Sequence, residues 1–209
     1  MPRWASLFPV AFIVLEVGIN LAVGAPWKPD TTEGRTLVAE TLRLTEPSEW
    51  VIDLKGEMIF RRRAFFYALE SITRERMRRG LLADTIPEEL VRKSVRVAAL
   101  DSEDWPPRAR AFLDEHFLPV GRIRVAGRLL APSGEAVIPF DVAIAGRYAI
   151  VSDSGTPAGL LDGSPYEGPR FLEAGRHAFQ PSPPEDKKLA VLWDRAAERG
   201  FSPLAFSIP

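Results

Sequence analysis

Two acidic residues beside a strand-like run are the side chains of this sequence best placed to do chemistry. Asp53 lies in the run Val51–Leu54 and Glu57 follows it, and strand ends are where open α/β sheets bind ligands. A pair of carboxylates there could act as general acid and base or hold a divalent cation. Nothing else in the sequence completes such a site. Turn and capping roles are therefore the favoured interpretation, and an α/β enzyme using both residues is a weaker alternative.

A run of arginines comes directly after these carboxylates. Arg61, Arg62 and Arg63 lead into a helix that is predicted to end at about Leu82 and that carries Arg74. These four arginines are the candidates for anion binding, because a guanidinium group contacts phosphate through paired hydrogen bonds. Near a membrane the ligand would be an anionic headgroup or a lipid-linked phosphate. The alternative is a solvated face whose arginines pair with acids of the next helix.

The remaining residue types exclude several kinds of site. The chain has no cysteine, which rules out disulfides, thiolate metal sites and cysteine nucleophiles. His116 and His177 are its only histidines, and neither has a partner at the spacing of a metal site. Neither a phosphate-binding glycine loop nor a Gly-x-Ser-x-Gly turn is present. We therefore predict no metal, no cofactor and no catalytic residue in this chain.

Length and charge narrow the choice of partners. The chain has 209 residues, enough for one large or two small domains, and its net charge is −1. Nucleic-acid-binding domains usually carry a basic excess, so the balance argues against a nucleic-acid partner.

The N-terminal stretch is predicted to lie in a membrane. Trp4–Ala25 is apolar with Glu16 as its only charge, and about 20 such residues cross a bilayer as a helix. Arg3 and Trp27 flank it as expected for a span whose following residues lie outside the cytoplasm. A carboxylate inside a span normally faces other protein, which suggests neighbouring helices. The alternative is a cleaved signal peptide with a weak cleavage site at Ala22-Val23-Gly24.

The residues after the apolar stretch are predicted to form first an α/β domain. Strands at Val51–Leu54 and Val95–Leu100 are separated by two helices, the second starting at Ile86-Pro87. A β–α–α–β order favours parallel strands with a right-handed crossover. Further helices are expected at Thr36–Leu44 and Arg108–His116.

The composition then changes to short strand-like runs separated by Gly or Pro, typical of an antiparallel β-sandwich. The runs are Ile123–Leu130, Ala136–Ile144, Tyr148–Val151, Leu160–Gly163, Pro169–Leu172 and His177–Gln180. A last amphipathic helix is predicted at Leu189–Arg199. The predicted fold class is α+β, in four parts: a transmembrane helix and linker (1–29), a small α/β domain with parallel strands (30–118), a β-sandwich (119–182), and a C-terminal helix and tail (183–209).

Three segments together resemble a known family. They are VIDLKGEMIFRRRAFFYALESITRERMRRGLL (51–82), the helix at Ile86-Pro87, and PPRARAFLDEHFLPVGRIRVAG (106–127). They resemble the extracytoplasmic C-terminal region of bacterial dolichyl-phosphate-mannose–protein mannosyltransferase-like membrane glycosyltransferases, within the C-type superfamily that includes the aminoarabinose lipid A transferases. A later piece, residues 146–179, is similar to small sandwich domains that end bacterial envelope proteins. Its Leu161-Asp162-Gly163 and its segment 172–177 match a "dG…LepGxH" pattern.

The resemblance implies a terminal span and periplasmic, non-catalytic domains of an inner-membrane glycosyltransferase, with a placement or regulatory role. The family's catalytic acid lies in an early extracytoplasmic loop, so no catalytic residue carries over to this chain. The implied partners are the lipid bilayer, a sugar on a polyprenyl phosphate that could meet the arginines, and the transferase membrane region. The alternative is a stand-alone, membrane-anchored envelope module that binds glycan or protein through its β-sandwich, with Tyr148, Tyr166 and Phe171 available for stacking on sugars.

Overall fold

A computed structural model of the chain describes residues 7–23, 32–100, 103–130, 137–153, 155–182 and 188–204. Its contacts divide the chain into two units, residues 1–35 and 36–209. The described residues form six helices, which are α1 (Leu7–Val23), α2 (Thr32–Leu44), α3 (Ser71–Arg78), α4 (Ile86–Arg92), α5 (Pro107–His116) and α6 (Asp194–Glu198). The domain boundaries predicted after residues 118 and 182 both fall within the second unit.

Twelve strands accompany the helices in the described residues. They are β1 (Trp50–Val51), β2 (Arg62–Arg63), β3 (Val97–Ala99), β4 (Phe117–Val120), β5 (Ile123–Leu130), β6 (Ile138–Val142), β7 (Gly146–Ser152), β8 (Gly159–Leu161), β9 (Ser164–Pro165), β10 (Arg170–Leu172), β11 (Gly175–Pro181) and β12 (Leu189–Trp193). The predicted α+β class is therefore confirmed, with parallel pairing among the first strands and antiparallel sheets after them.

The apolar helix α1, of 17 residues, is the described part of the predicted membrane span. Among the described residues, no helix combines the length and the apolar character that crossing a membrane requires. The predicted span, Trp4–Ala25, thus has no support from α1, and its two ends lie outside the described residues.

The first strands pair in parallel, as predicted for the α/β region. Trp50 of β1 lies opposite Arg62 of β2. Ile52, just after β1, forms a parallel bridge with Ala98 of β3. The order β2-β1-β3 leaves β2 at one end of this arrangement, with β3 joining it to the larger antiparallel sheet through β5.

The helix predicted to follow the arginines is much shorter than expected. Between Arg61 and Leu82 only α3 is helical, and residues ahead of it bond to the end of β1 and to the turn after it. The backbone N–H of Ala64 donates to Val51 O at 2.8 Å, and that of Leu69 donates to Leu54 O at 2.6 Å. Because these groups bond to another segment, the stretch between them does not form helical hydrogen bonds.

The main antiparallel sheet has the order β10-β7-β12-β5-β3, with β4 and β5 forming a hairpin. Its strand β12 corrects the prediction of a helix at Leu189–Arg199, because only α6, the last part of that range, is helical. All five residues of β12 are buried between β5 and β7. A strand buried on both faces is a continuous apolar run, and its periodicity cannot be told from that of a buried helix.

A second antiparallel sheet, in the order β6-β11-β8-β9, completes the predicted sandwich region. Alternate residues of β6 are buried, which is the pattern of a strand with one face on a core. Phe179 of β11 contacts Tyr166 edge-on, and the Tyr166 hydroxyl bonds to Ile150 of β7. The two sheets therefore contribute to one hydrophobic core.

Candidate functional site

Asp53 is a structural anchor in this fold. Its side chain is buried, with 1% of the residue's surface exposed. Oδ1 accepts a hydrogen bond from Gly56 N at 2.9 Å, and Oδ2 accepts one from Met58 N at 2.7 Å. Arg63 Nε lies 2.8 Å from Oδ1 and balances its charge. The carboxylate thus closes the turn after β1, as a capping role requires. Glu57 bonds instead to the backbone N–H of Lys55 at 3.2 Å.

Two of the four candidate arginines hold backbone carbonyls. Arg63 Nη2 donates to Asp53 O at 3.0 Å and to Leu54 O at 2.8 Å. Arg61 donates from Nε to Thr45 Oγ1 at 2.8 Å and from Nη2 to Thr45 O at 2.6 Å, just beyond the end of α2. These guanidinium groups link separate parts of the backbone, so they stabilise the local fold.

The other arginines of the region have separate partners. Arg74 pairs with Asp104. Hydrogen bonds from Arg78 and Arg79 lower the pKa of Glu75 to about 2. Arg62 lies over the ring of Trp50, with its Cζ 5.7 Å from the ring centroid. The structure therefore does not bring the candidate arginines to one ligand. Among the described residues, no group of three or more His, Cys, Asp or Glu side chains is placed to hold a metal ion.

A different feature does gather cations and aromatic rings at one opening. A cleft of about 220 Å³ lies where the chain around β1, the link between α4 and β3, and the end of β12 meet. We call it the tryptophan cleft. It is lined by Thr45, Ser48, Glu49, Trp50, Lys93, Ser94, Arg96 and Trp193.

Each tryptophan of the cleft is in contact with two cations. Lys93 Nζ lies 4.5 Å from the centroid of the Trp50 ring, and Arg62 Cζ lies 5.7 Å from it. Trp193 has Arg195 and Arg96 as its cations. Their Cζ atoms lie 4.9 Å and 5.8 Å from the centroid of the Trp193 ring. Cation–π contacts of this kind hold a positive charge near a surface without neutralising it.

Local chain geometry places the two lining cations. Ser94 adopts a φ of 52°, in the left-handed region that ends many helices. Val95 N then bonds back to Leu90 O at 2.9 Å, which closes α4. Lys93 thus lies at the end of the helix and Arg96 at the entry to β3, with one turn between them. Lys93 is held further by an ion pair with Glu89 at 2.9 Å.

Arg96 is the cleft cation with unused hydrogen-bonding capacity. Its Nη2 donates to Ala145 O at 2.8 Å, and its Nη1 donates to Ser94 O at 3.3 Å. Its guanidinium lies on the backbone of Gly146, where a Cβ would come within 2.9 Å of Nη2. Its Nε is buried and has no hydrogen-bond partner among the residues that the structure describes. Five further buried side-chain nitrogens of the described residues have none either, so this feature is not particular to the cleft.

The one acid that lines the cleft already has partners. Glu49 Oε2 lies 2.7 Å from Arg195 Nη1 and also accepts a hydrogen bond from Glu46 N at 2.7 Å. Its charge is therefore balanced by a cation that contacts Trp193. The other charged residues that line the cleft are Lys93, which is paired with Glu89 outside the lining, and Arg96.

Sequence reasoning missed this cleft. None of its lining residues is among the candidate site residues predicted from the sequence. Trp193 falls within the helix predicted at Leu189–Arg199. The one local signal of the cleft in the sequence is Arg195, two positions after Trp193. The cleft itself joins residues more than 140 positions apart, which no local spacing reveals.

The "dG…LepGxH" residues form a clasp between two turns of the sandwich. His177 Nδ1 lies 2.8 Å from Asp162 Oδ2, and its Nε2 lies 2.9 Å from Glu173 O. Asp162 Oδ1 also accepts a hydrogen bond from Ala178 N at 2.9 Å. Burial alone would lower the pKa of His177, but the bonds to Asp162 and to the Glu173 carbonyl outweigh it and raise that pKa. These contacts give the motif a structural role.

Burial lowers the pKa of the other histidine, His116.

The sandwich aromatic residues differ in exposure. Tyr148 and Tyr166 are buried, and Tyr148 donates its hydroxyl to Ile144 O at 2.7 Å. Burial raises the pKa of Tyr148 to about 12. Tyr166 accepts the N–H of Ile150 at 2.7 Å, in place of a neighbouring strand. Of the three predicted stacking residues only Phe171 is open to solvent, with 55% of its surface exposed.

Comparison with known proteins adds no relative to this geometry. No protein-family model matches the chain, and neither curated proteins nor solved structures contain a match. The tryptophan cleft and its cations are therefore the observations on which a function can rest.

Proposed function

We propose that the unit beginning at Thr36 is a non-catalytic module that binds an anionic ligand in the tryptophan cleft. The observation that carries this proposal is the convergence of Lys93 and Arg96 on one opening. A phosphate or carboxylate group can accept hydrogen bonds from both cations at once, and hydrogen bonds between charged groups are the stronger ones.

The two tryptophans of the cleft also affect which ligand it would prefer. Their ring faces are in contact with cations, so they are poorly placed for face-to-face stacking on a neutral sugar. They instead form an apolar wall that lowers the local dielectric and strengthens the attraction between the cations and a bound anion. The cleft therefore favours a small charged group that can carry an apolar or sugar substituent toward the opening.

The wider role that we propose follows the family resemblance. The chain would serve placement or regulation in a bacterial membrane glycosyltransferase whose donor is a sugar on a lipid phosphate. The stretch Trp4–Ala25 would lie in the inner membrane, and the α/β and β-sandwich parts would be extracytoplasmic. The phosphate preference proposed for the cleft suits such a donor. A membrane pellet that retains the chain after alkaline carbonate washing, together with transferase activity, is the expected result, and release of the chain into the wash contradicts it.

Ligand binding is tested by calorimetric titration of the full chain with a hexose 1-phosphate, inorganic phosphate and the free hexose. We expect both phosphates to bind and the free hexose not to bind. Lys93→Gln and Arg96→Gln should each weaken binding about tenfold, or roughly 1.4 kcal/mol. Arg78→Gln, an exposed arginine paired only within its own helix, is the matched control and should leave affinity unchanged.

Three results would contradict the proposal: equal binding of the free hexose, equal loss of affinity in the Arg78 variant, or no binding of either phosphate. Because Arg96 also bonds to Ala145 O, thermal unfolding of each variant is measured alongside. Lys93→Gln keeps the test decisive if Arg96→Gln unfolds.

The stand-alone envelope module is the second candidate, and one observation favours it. Phe171 is exposed on β10, the outermost strand of the main sheet, where a glycan could stack on its ring. If this surface binds envelope polysaccharide, Phe171→Ala should abolish the binding and Lys93→Gln should not. If both variants bind the polysaccharide equally well, binding through the Phe171 surface is excluded.

A further inference from the structure

A second surface, on the arginine-rich segment 55–81, has a character that the tryptophan cleft does not explain. We call residues 55–81 the edge segment, because it contains β2, the strand at the end of the order β2-β1-β3. Six of its large apolar side chains are exposed, and Phe66 is the most open, at 89%. The six are Ile59, Phe60, Phe66, Tyr67, Ile72 and Leu81.

These apolar side chains are exposed on a backbone that is held in place. Met58, Ala64, Phe65 and Leu69 are buried and join the core from within the same segment. The ion pair between Asp53 and Arg63, described above, fixes the turn between them. Exposed and buried apolar residues thus alternate along an anchored chain, so the exposed ones cannot simply fold inward. Phe66 and Tyr67 also contact each other edge-on, with ring centroids 5.2 Å apart.

The charge of the edge segment is the opposite of that of the rest of the chain. It carries eight Lys or Arg residues against three Glu, a net charge of +5 in a chain whose total is −1. The carboxylates of Asp53 and Asp104, which pair with Arg63 and Arg74, offset two of these charges. Arg62 and Lys55 are exposed, and both flank the apolar pair Ile59-Phe60 in sequence. Exposed aromatic and aliphatic side chains among cations are the composition of surfaces that bind at the headgroup level of anionic bilayers.

We propose that the edge segment docks on the surface of an anionic lipid bilayer. Phe60, Phe66 and Tyr67 would enter the boundary between headgroups and acyl chains, and the exposed cations would contact lipid phosphates. A bilayer is the occupant that the charge favours, since a second copy of this chain would set one +5 segment against another at a two-fold interface. This inference goes beyond ligand binding in the tryptophan cleft and does not depend on it.

The chain's lack of cysteine makes a position-specific test possible. Phe66→Cys is labelled with an environment-sensitive fluorophore in the full chain and mixed with vesicles that carry a lipid-borne quencher. Phe171→Cys, an exposed phenylalanine on the sandwich, is the matched control. Because both proteins retain the apolar N-terminal stretch, any general association with vesicles is the same for the two labels.

We expect the label at residue 66 to shift its emission to the blue and lose most of its fluorescence with anionic vesicles. The label at residue 171 should keep its fluorescence. Both effects at residue 66 should shrink when neutral lipid replaces anionic lipid, because the cations then lose their partners. Equal quenching at the two positions, no quenching at residue 66, or the same emission shift on concentration without lipid would overturn the proposal. The last result would identify a second copy of the chain as the occupant.

Discussion

The arginine-rich stretch around β2 and the tryptophan cleft both combine cations with aromatic residues, yet only the second brings its cations to one opening. In the first, Arg61 and Arg63 are two positions apart in sequence, and their guanidinium groups bond to backbone carbonyls and to Asp53. In the second, Lys93 and Arg96 come from the end of a helix and the start of a strand. They also have partners, Glu89 and the Ala145 carbonyl, but both line an opening. The comparison shows that local charge density is a poor guide to a binding site, because arginine is equally suited to fastening the chain.

The largest effect that this comparison predicts is on stability. Asp53→Ala should lower the free energy of unfolding by about 3–5 kcal/mol, because it leaves Arg63 uncompensated and removes the acceptor of Gly56 N and Met58 N. The measurement is urea denaturation at neutral pH. Glu57→Ala is the control and should change stability by no more than about 0.5 kcal/mol. Equal effects of the two substitutions would mean that Asp53 is not the anchor of the turn.

A smaller effect separates the two groups of cations directly. Arg61→Gln should cost about 1.5–3 kcal/mol of stability, because the charged hydrogen bonds to Thr45 are lost. The same variant should bind a hexose 1-phosphate as the wild type does. Denaturation and calorimetry on one preparation give both values. If Arg61→Gln weakens ligand binding as much as Arg96→Gln does, the cations that stabilise the fold cannot be distinguished from those that bind the ligand.

The smallest predicted effect is a pH dependence from the clasp around His177. Its pKa is raised in the folded state, so its stabilisation is complete below the unfolded pKa of about 6.5 and is lost as the pH rises through the folded value. The carboxylates of Asp162 and Asp141 face this imidazole. The stability difference between wild type and His177→Gln should therefore be largest near pH 5 and shrink by about pH 8, in urea denaturation at each pH.

His116 provides the matched control, with the opposite sign. Burial lowers its pKa in the folded state, so the unfolded chain takes up the proton first and stability is lost as the pH falls below about 6.5. The difference between wild type and His116→Gln should shrink toward low pH. The same pH trend in both variants would contradict the assigned environments.

How far the sequence predicts this fold depends on how local each signal is. The parallel pairing near Ile52, the helix at Pro107–His116 and the strand at Ile123–Leu130 were predicted, because each has its own periodicity or turn residues. The strand β12 was missed because an unbroken apolar run fits a buried helix as well as a central strand. The helix before Leu82 was predicted too long, because nothing local reveals that Ala64 bonds to Val51.

The candidate site was harder to predict than the fold. The capping role favoured for Asp53 agrees with its hydrogen bonds, since Asp followed by Gly three residues later is a local turn signal. The tryptophan cleft is a tertiary product. It forms only because β12 crosses the middle of the sheet and carries Trp193 toward the chain around Trp50. No spacing rule links those two tryptophans.

The most direct test of the binding account observes the tryptophans themselves. The indole N–H signals of the full chain are followed by NMR during titration with a hexose 1-phosphate, and Trp→Phe variants assign them. The account predicts that the signals of Trp50 and Trp193 shift and saturate together, while that of Trp105, buried elsewhere in the same unit, stays in place. Shifts of Trp105 alone, or no shift of any indole at a ligand concentration that saturates the calorimetric signal, would contradict it.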